Sequence, residues 1–247
     1  MTQLADSLAR FARQPRFASV WGAIATILSV FYTAIICIPV AILSRVNHGH
    51  YVSPLMRLWA WLIFHTCGAS AEVEGLEHLR GLDEFILVSN HQSLFDIIVI
   101  THLIPREVRF VAKRELTKIP VLGYGIANSG NVVIDRHSGG RALRHAISVM
   151  RASYSFCVCA EGHRYSDNRV HEFNEGAAWL AIAAQRACIP IAISGTSAVI
   201  PRGAKFALAG RRIRLAIGEP ITTAGMHSAD RAALTKRLEI AVRGLFH

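Results

Sequence analysis

A chain of 247 residues with 27 Lys and Arg against 17 Asp and Glu carries a formal charge of +10 and is long enough to bury a substantial core. A nucleic-acid binder shares that charge but seldom a mean hydropathy of +0.33; basic and apolar together point to an anionic membrane surface or acidic partners. No cluster interleaves aromatic with basic residues, which argues against nucleic acid, and the five cysteines, Cys37, Cys67, Cys157, Cys159 and Cys188, are odd in number and carry no paired metal-ligand motif.

The first seventy residues form a block of their own. Arg10, Arg13 and Arg16 precede residues 18–44, which run 27 residues without a formal charge. As a straight helix that run is about 40 Å long, more than the ~30 Å hydrocarbon core of a bilayer. It is too long for a signal-peptide core and lacks a small-residue cleavage site, so it is expected to be retained. Pro39 is a place where the helix could break. A second apolar segment, residues 55–67, sets Trp59, Trp61 and Phe64 beside Arg57, a composition suited to the membrane interface. A single span and a helical hairpin buried in one leaflet both fit; Pro39 and the returning second segment favour the hairpin.

From Ala71 onward short apolar strands alternate with helices. The pattern predicts strands over 72–74, 85–89, 109–112, 131–134, 156–159, 189–194 and 213–217. It predicts helices over 94–103, 121–128, 140–152, 175–187 and 229–246. The expected fold is α/β, a single central sheet flanked by helices. The expected organisation is a membrane-associated helical segment, 1–70, followed by an α/β domain, 71–247.

One polar stretch, Ser89-Asn90-His91-Gln92-Ser93-Leu94-Phe95-Asp96, joins a buried strand to a helix, which is where open α/β folds place their chemistry. His91 and Asp96 are five residues apart and would be separated by roughly 140° on a regular helix. They meet only if His91 lies in the turn and Asp96 in the first helical turns. The carboxylate then holds one imidazole nitrogen while the other faces a pocket and takes a proton. A helix start beside His91 would disfavour the imidazolium, so a neutral base is expected near pH 7.

Four further stretches put polar residues where strands should end: Lys113, Arg114 and Glu115; Gly130 through Asp135 and Arg136; Glu161, Gly162, His163, Arg164 and Tyr165; and Ile189, Pro190 and Ile191. Each has an ordinary reading by itself. Lys113 and Arg136 could be surface caps, Glu161 and Arg164 a local ion pair, Pro190 a strand-start residue.

In this order, over residues 72–221, they resemble the glycerolipid acyltransferases, the lysophosphatidate acyltransferases of phospholipid synthesis. The family's Asn-His, four residues, Asp matches Asn90, His91 and Asp96. Its Gly, apolar strand, Asp-Arg matches Gly130 to Arg136. Its Glu-Gly-Thr-Arg-Ser matches at Glu161, Gly162 and Arg164 and departs at His163 and Tyr165. Its apolar-Pro-apolar strand matches Ile189, Pro190 and Ile191, and Gly218, Glu219 and Pro220 look like a common family ending.

The resemblance implies an enzyme that moves an acyl group from acyl carrier protein or coenzyme A to a lysophospholipid, 1-acyl-sn-glycerol-3-phosphate foremost, at the cytoplasmic face of the membrane. Lyso-ornithine lipid and glycerol-3-phosphate are alternative acceptors, and a lipid-binding protein with a degenerate site is the non-enzymatic alternative. No cofactor beyond the thioester co-substrate and no metal is expected. His91 would be the base and Asp96 its partner, and no covalent intermediate is required because a thiolate leaves readily. Arg164 would grip a phosphate, with Arg136 and Lys113 as added positive charge. Glu161, followed by Gly162, would orient that Arg or an acceptor hydroxyl, and backbone amides would bind the oxyanion.

Overall fold

The computed structural model describes residues 15–44, 52–119, 122–134, 147, 154–165, 167–201, 203–204 and 206–247. Seven strands form one sheet: β1 (Ser70–Glu74), β2 (Ile86–Ser89), β3 (Val108–Lys113), β4 (Val132–Ile134), β5 (Ser155–Cys159), β6 (Cys188–Ser194) and β7 (Arg212–Ile217). Their order is β1-β7-β6-β2-β5-β3-β4, and every neighbouring pair is parallel except β6 with β7. All seven strands expected from the sequence are present, with ends shifted by no more than two residues.

The described helices are α1 (Pro15–Leu43), α2 (Ser53–Thr66), α3 (Phe95–Leu103), α4 (Leu122–Asn128), α5 (Gly176–Ala184), the short α6 (Thr196–Val199) and α7 (Arg231–Leu245). The helix expected over 140–152 lies outside the described residues. The one expected to reach residue 187 stops at Ala184, because Gln185 turns left-handed (φ 51°) and its N–H bonds back to the carbonyls of Ala181 and Ile182.

Strand alternation divides the core into two layers. Leu87, Ile189, Ile191, Ile193, Ile213 and Leu215 face one way and bury Phe95 and Val99 of α3, which in turn pack on Ala60, Ile63 and Phe64 of α2. Ile86, Val88, Phe156 and Val158 face the other way, against Ala177, Leu180 and Ala181 of α5 and Leu234, Leu238 and Val242 of α7. A central parallel strand must be apolar on both sides, and β2 is buried along its whole length.

The N-terminal helices are part of this packing rather than an appendage to it. Ala25 of α1 and Ala60, Ile63 and Phe64 of α2 belong to the same core as the sheet. Helix α1 is also tied down along its length: the Trp21 indole donates to Thr66 O (2.9 Å), Ala207 N donates to the Thr26 hydroxyl (2.8 Å), and the Trp59 indole donates to the Thr33 hydroxyl (2.9 Å). Gly22 is needed at this crossing, since a Cβ there would sit 1.9 Å from the Ala207 carbonyl oxygen. Pro39 does not break α1, contrary to the expectation; the helix runs on to Leu43, with Val40 buried against Gly125 of α4. The opposite face of α1 is apolar and exposed at Val20, Ile24, Ile27, Phe31, Ile35, Ile38 and Ile42, a spacing of three and four that makes one continuous stripe.

Candidate active site

Strands β2, β5 and β6 run in the same direction, so their C-terminal ends open on one edge of the sheet. Ser89, the last residue of β2, is level with Cys159 of β5 and Ile191 of β6. There the chain leaves the sheet, and the Asn90 side chain continues the ladder in place of the backbone. Its amide nitrogen donates to Ile193 O and its oxygen accepts from Ile193 N, each at 2.9 Å. Four residues of turn, His91 to Leu94, follow, and the apolar run from Phe95 begins α3.

His91 and Asp96 meet as the spacing predicts. Asp96 Oδ2 accepts from His91 Nδ1 at 2.8 Å, from Gln92 N at 2.9 Å and from Ser93 N at 3.0 Å. Its other oxygen accepts from the Thr196 hydroxyl, at the start of α6 just beyond β6. Asp96 is 1% exposed and His91 18%, so the carboxylate is sealed while the imidazole reaches the surface. With Nδ1–H committed to a carboxylate, Nε2 is the nitrogen that accepts a proton.

The charge state of His91 runs against the sequence expectation. Burial disfavours the imidazolium, but the Cys159 sulfur beside the ring and the Asp96 carboxylate favour it, and the balance lies above the ordinary histidine value. Cys159 is itself kept a thiol by its contact with Cys157 and by burial, so at neutral pH the carboxylate carries the upward shift. The helix-start amides do not repel the imidazolium because those of Gln92 and Ser93 point at Asp96. His91 is thus a stronger base than an ordinary histidine.

Glu161 has a structural task that the sequence did not signal. It is 2% exposed, and its two oxygens accept main-chain N–H groups, from His91 at 3.0 Å and from His171 at 2.9 Å. Desolvation pushes its carboxyl up from the usual range, while these two amides and the nearby histidines pull it down. It therefore fixes the backbone at His91, through the N–H groups of His91 and His171. Gly162 makes the turn that follows, at φ +71° and with its N–H on Cys159 O. Arg164 lies exposed on the same turn. Lys113 ends β3 at the same sheet edge, with β5 between β3 and β2. Arg136 lies outside the described residues. Among the described residues no three His, Cys, Asp or Glu side chains are grouped to hold a metal ion.

Sequence reasoning missed Thr196, Gln92 and His171. The signal for Thr196 was a Ser-Gly-Thr run directly after a buried strand, the same place in the fold as Asn90-His91 after β2. Gln92 and His171 carried no signal, since their ties join the turn to residues 161–171 through main-chain atoms. With the amides of His91, Gln92 and Ser93 all engaged by carboxylates, the oxyanion donors must be other groups.

The acyltransferase family profile matches residues 70–194, just over half of the chain and the whole span from β1 to β6. A chloroplast 1-acyl-sn-glycerol-3-phosphate acyltransferase of Arabidopsis thaliana is 29% identical over 181 residues, 72% of this chain and 49% of the relative. The alpha 1-acyl-sn-glycerol-3-phosphate acyltransferase of Mus musculus is 27% identical over 222 residues, 88% of this chain and 77% of the relative. This chain thus spans about half the length of the chloroplast relatives that it matches. The crystal structure of the 1-acyl-sn-glycerophosphate acyltransferase PlsC from Thermotoga maritima superposes with a TM-score of 0.77 at 28% identity, covering 92% of this chain and 96% of that one. The sheet, the edge on which His91 and Asp96 meet and the profile match agree, and the chain belongs to the acyltransferase family.

Proposed function

We propose that the protein transfers a fatty acyl group from an acyl thioester to the free hydroxyl of a lysophospholipid, 1-acyl-sn-glycerol-3-phosphate, giving phosphatidic acid. The observation that carries this reading is the His91–Asp96 pair at 2.8 Å, with Nε2 directed away from the buried carboxylate. His91 Nε2 takes the proton of the acceptor hydroxyl as its oxygen attacks the thioester carbonyl. The tetrahedral oxyanion collapses, the C–S bond breaks, and the imidazolium returns the proton to the departing thiolate. Asp96 stabilises the imidazolium formed in between. Arg164, with Lys113 and Arg136, would supply positive charge for the acceptor phosphate. The names of the relatives support this acceptor.

The membrane is reached through the α1–α2 hairpin lying in one leaflet at the cytoplasmic face. Supporting this, α1 is bonded to the domain at Thr26 and packed on it at Val40, about 21 Å apart along the helix. A helix crossing the bilayer would draw both contact regions into the hydrocarbon. The outward stripe from Val20 to Ile42 and Trp61 on α2 would face lipid.

The test supplies the purified protein with labelled acyl-coenzyme A or acyl carrier protein and a panel of lysophosphatidate, lyso-ornithine lipid and glycerol-3-phosphate, read by mass spectrometry. Phosphatidic acid as the main product is the expected result; another acylated product moves the acceptor, and none refutes the reading. A single cysteine placed near the N-terminus of a cysteine-free variant should label from the same side of sealed vesicles as the catalytic domain. Labelling from the opposite side would mean a span.

A further inference from the structure

Residues 161–171, which follow β5, are stitched to the catalytic turn by main-chain and side-chain hydrogen bonds. Glu161 Oε2 accepts from His91 N (3.0 Å), His91 O accepts from Tyr165 N (2.9 Å), and Arg169 O accepts from Gln92 Nε2 (2.9 Å). The second oxygen of Glu161 accepts from His171 N (2.9 Å), so one buried carboxylate links the main chains of His91 and His171. The two anchor residues meet again through their rings. Tyr165 and His171 stack at 3.7 Å between centroids and 18° between planes, with His171 Nε2 held 2.8 Å from Asp167 Oδ2. Position 165 is one of the two at which this chain departs from the family's Glu-Gly-Thr-Arg-Ser, and the serine of that pattern has no ring to stack.

We propose that the Tyr165–His171 stack is a positioning device for the His91 base, peculiar to chains with an aromatic residue at this place. The main chain of His91 is gripped on both sides: its N–H by a carboxylate whose other oxygen sits on His171, its carbonyl by the amide of Tyr165. The stack joins the two grips to each other, so their separation is set by ring contact and not by the intervening loop. Neither ring needs to touch substrate. When the stack is lost, the grips drift independently and Nε2 leaves its aligned position, and a displacement of about 1 Å at a reacting centre can cost up to ~10²-fold in rate. The inference rests on the reading of His91 as the base.

The test uses the full-length protein in vesicles, each variant assayed on whichever lysolipid the wild type turns over fastest. An error in the proposed acceptor therefore leaves the comparison intact, and only a wild type inert on the whole panel would refute the acyltransfer reading itself. Tyr165→Ser is expected to lower kcat about tenfold with the acceptor KM within about twofold, while Tyr165→Phe, which keeps the ring, stays near wild type. His171→Gln, which keeps the main-chain bond to Glu161, is expected to match Tyr165→Ser, and the double variant to fall no further than either single one. The proposal is overturned if Tyr165→Phe falls with Tyr165→Ser, if the acceptor KM rises while kcat holds, or if the two losses multiply. Should Tyr165→Ser fail to fold, His171→Gln and Tyr165→Phe carry the same comparison, and wild-type kcat in His171→Gln overturns it.

Discussion

At the turn that carries His91, Asp96 and Glu161 together accept six hydrogen bonds, and both are almost completely sealed from solvent. Along α1, three side-chain hydrogen bonds hold the inner face while the outer face presents an unbroken apolar stripe. The turn is finished by the chain itself, since each carboxylate oxygen has its donors before any substrate arrives. The hairpin is finished only by a surrounding medium that tolerates apolar side chains. Precision is thus concentrated at one edge of the sheet, and attachment is spread over a helix face where no single residue decides.

The sharpest way to break that contrast is at the base. His91→Ala should lower turnover by ~10²–10⁴-fold while the circular dichroism of the fold is retained, because the proposed general base is lost and the ring removed reaches the surface. Turnover within a few-fold of wild type would remove His91 from the mechanism. Asp96→Asn should cost roughly 10- to 100-fold, as a charge-assisted hydrogen bond worth about 1.5–3 kcal/mol becomes a neutral one. The asparagine oxygen can replace Oδ2 and its NH₂ can donate to the Thr196 hydroxyl, which accepts as readily as it donates, so the turn should survive.

The pH profile sharpens the same point. Protonated His91 cannot accept the substrate proton, so kcat/KM should rise with pH, with its midpoint above the ordinary 6.5 of histidine. In Asp96→Asn the imidazolium loses its carboxylate while burial still opposes it, and the midpoint should move down. An unmoved midpoint would show that the rising limb belongs to another group.

On the hairpin the expected effects are smaller and additive. Ile27→Ser, on the outward stripe, should weaken flotation with anionic vesicles about tenfold, since a fully buried aliphatic side chain contributes on the order of 1.5–3 kcal/mol. Its turnover of a short-chain soluble acceptor should stay unchanged. Undiminished flotation would mean that the stripe is not the membrane face. Smallest in turnover is Thr196→Val, which leaves one oxygen of a sealed carboxylate without a donor. Denaturant unfolding should show a loss of about 1–3 kcal/mol, and equal stability would mean that Thr196 does not matter to Asp96.

The sheet was legible because buried parallel strands are short and nearly continuous in apolar residues, and β2, β5 and β6 each match that, with a serine only at one end. The His91–Asp96 pair was legible because both ends lie in one turn. Thr196 was not, since its partner is 100 residues away and only the strand order brings β6 beside β2. The main-chain ties of Glu161 were hidden for a related reason: its two amide donors, His91 N and His171 N, are groups that every residue type but proline supplies and no pattern marks. Pro39 misled in the opposite sense. A local helix breaker was overruled by packing of the next residue, Val40, against Gly125. Composition likewise could not show that Ala60, Ile63 and Phe64, within the apolar block of residues 1–70, pack into the same core as α3 and the sheet.

The tie between Thr26 and Ala207 spans 181 positions of sequence, and this has a consequence for how the protein is made. At synthesis rates of ~5–20 residues per second, α1 leaves the ribosome roughly 10–40 s before the segment that it must grip. During that interval the Thr26 hydroxyl, which donates to Gly22 O of its own helix, lacks the Ala207 N–H that it later accepts, while the outer stripe is already complete. The nascent helix thus offers its apolar stripe before it can close on residue 207 of its own domain. On the membrane reading proposed above, the domain closes onto a helix that has already met lipid, so a ribosome stalled before residue 207 should leave a chain that binds membranes but is not yet closed.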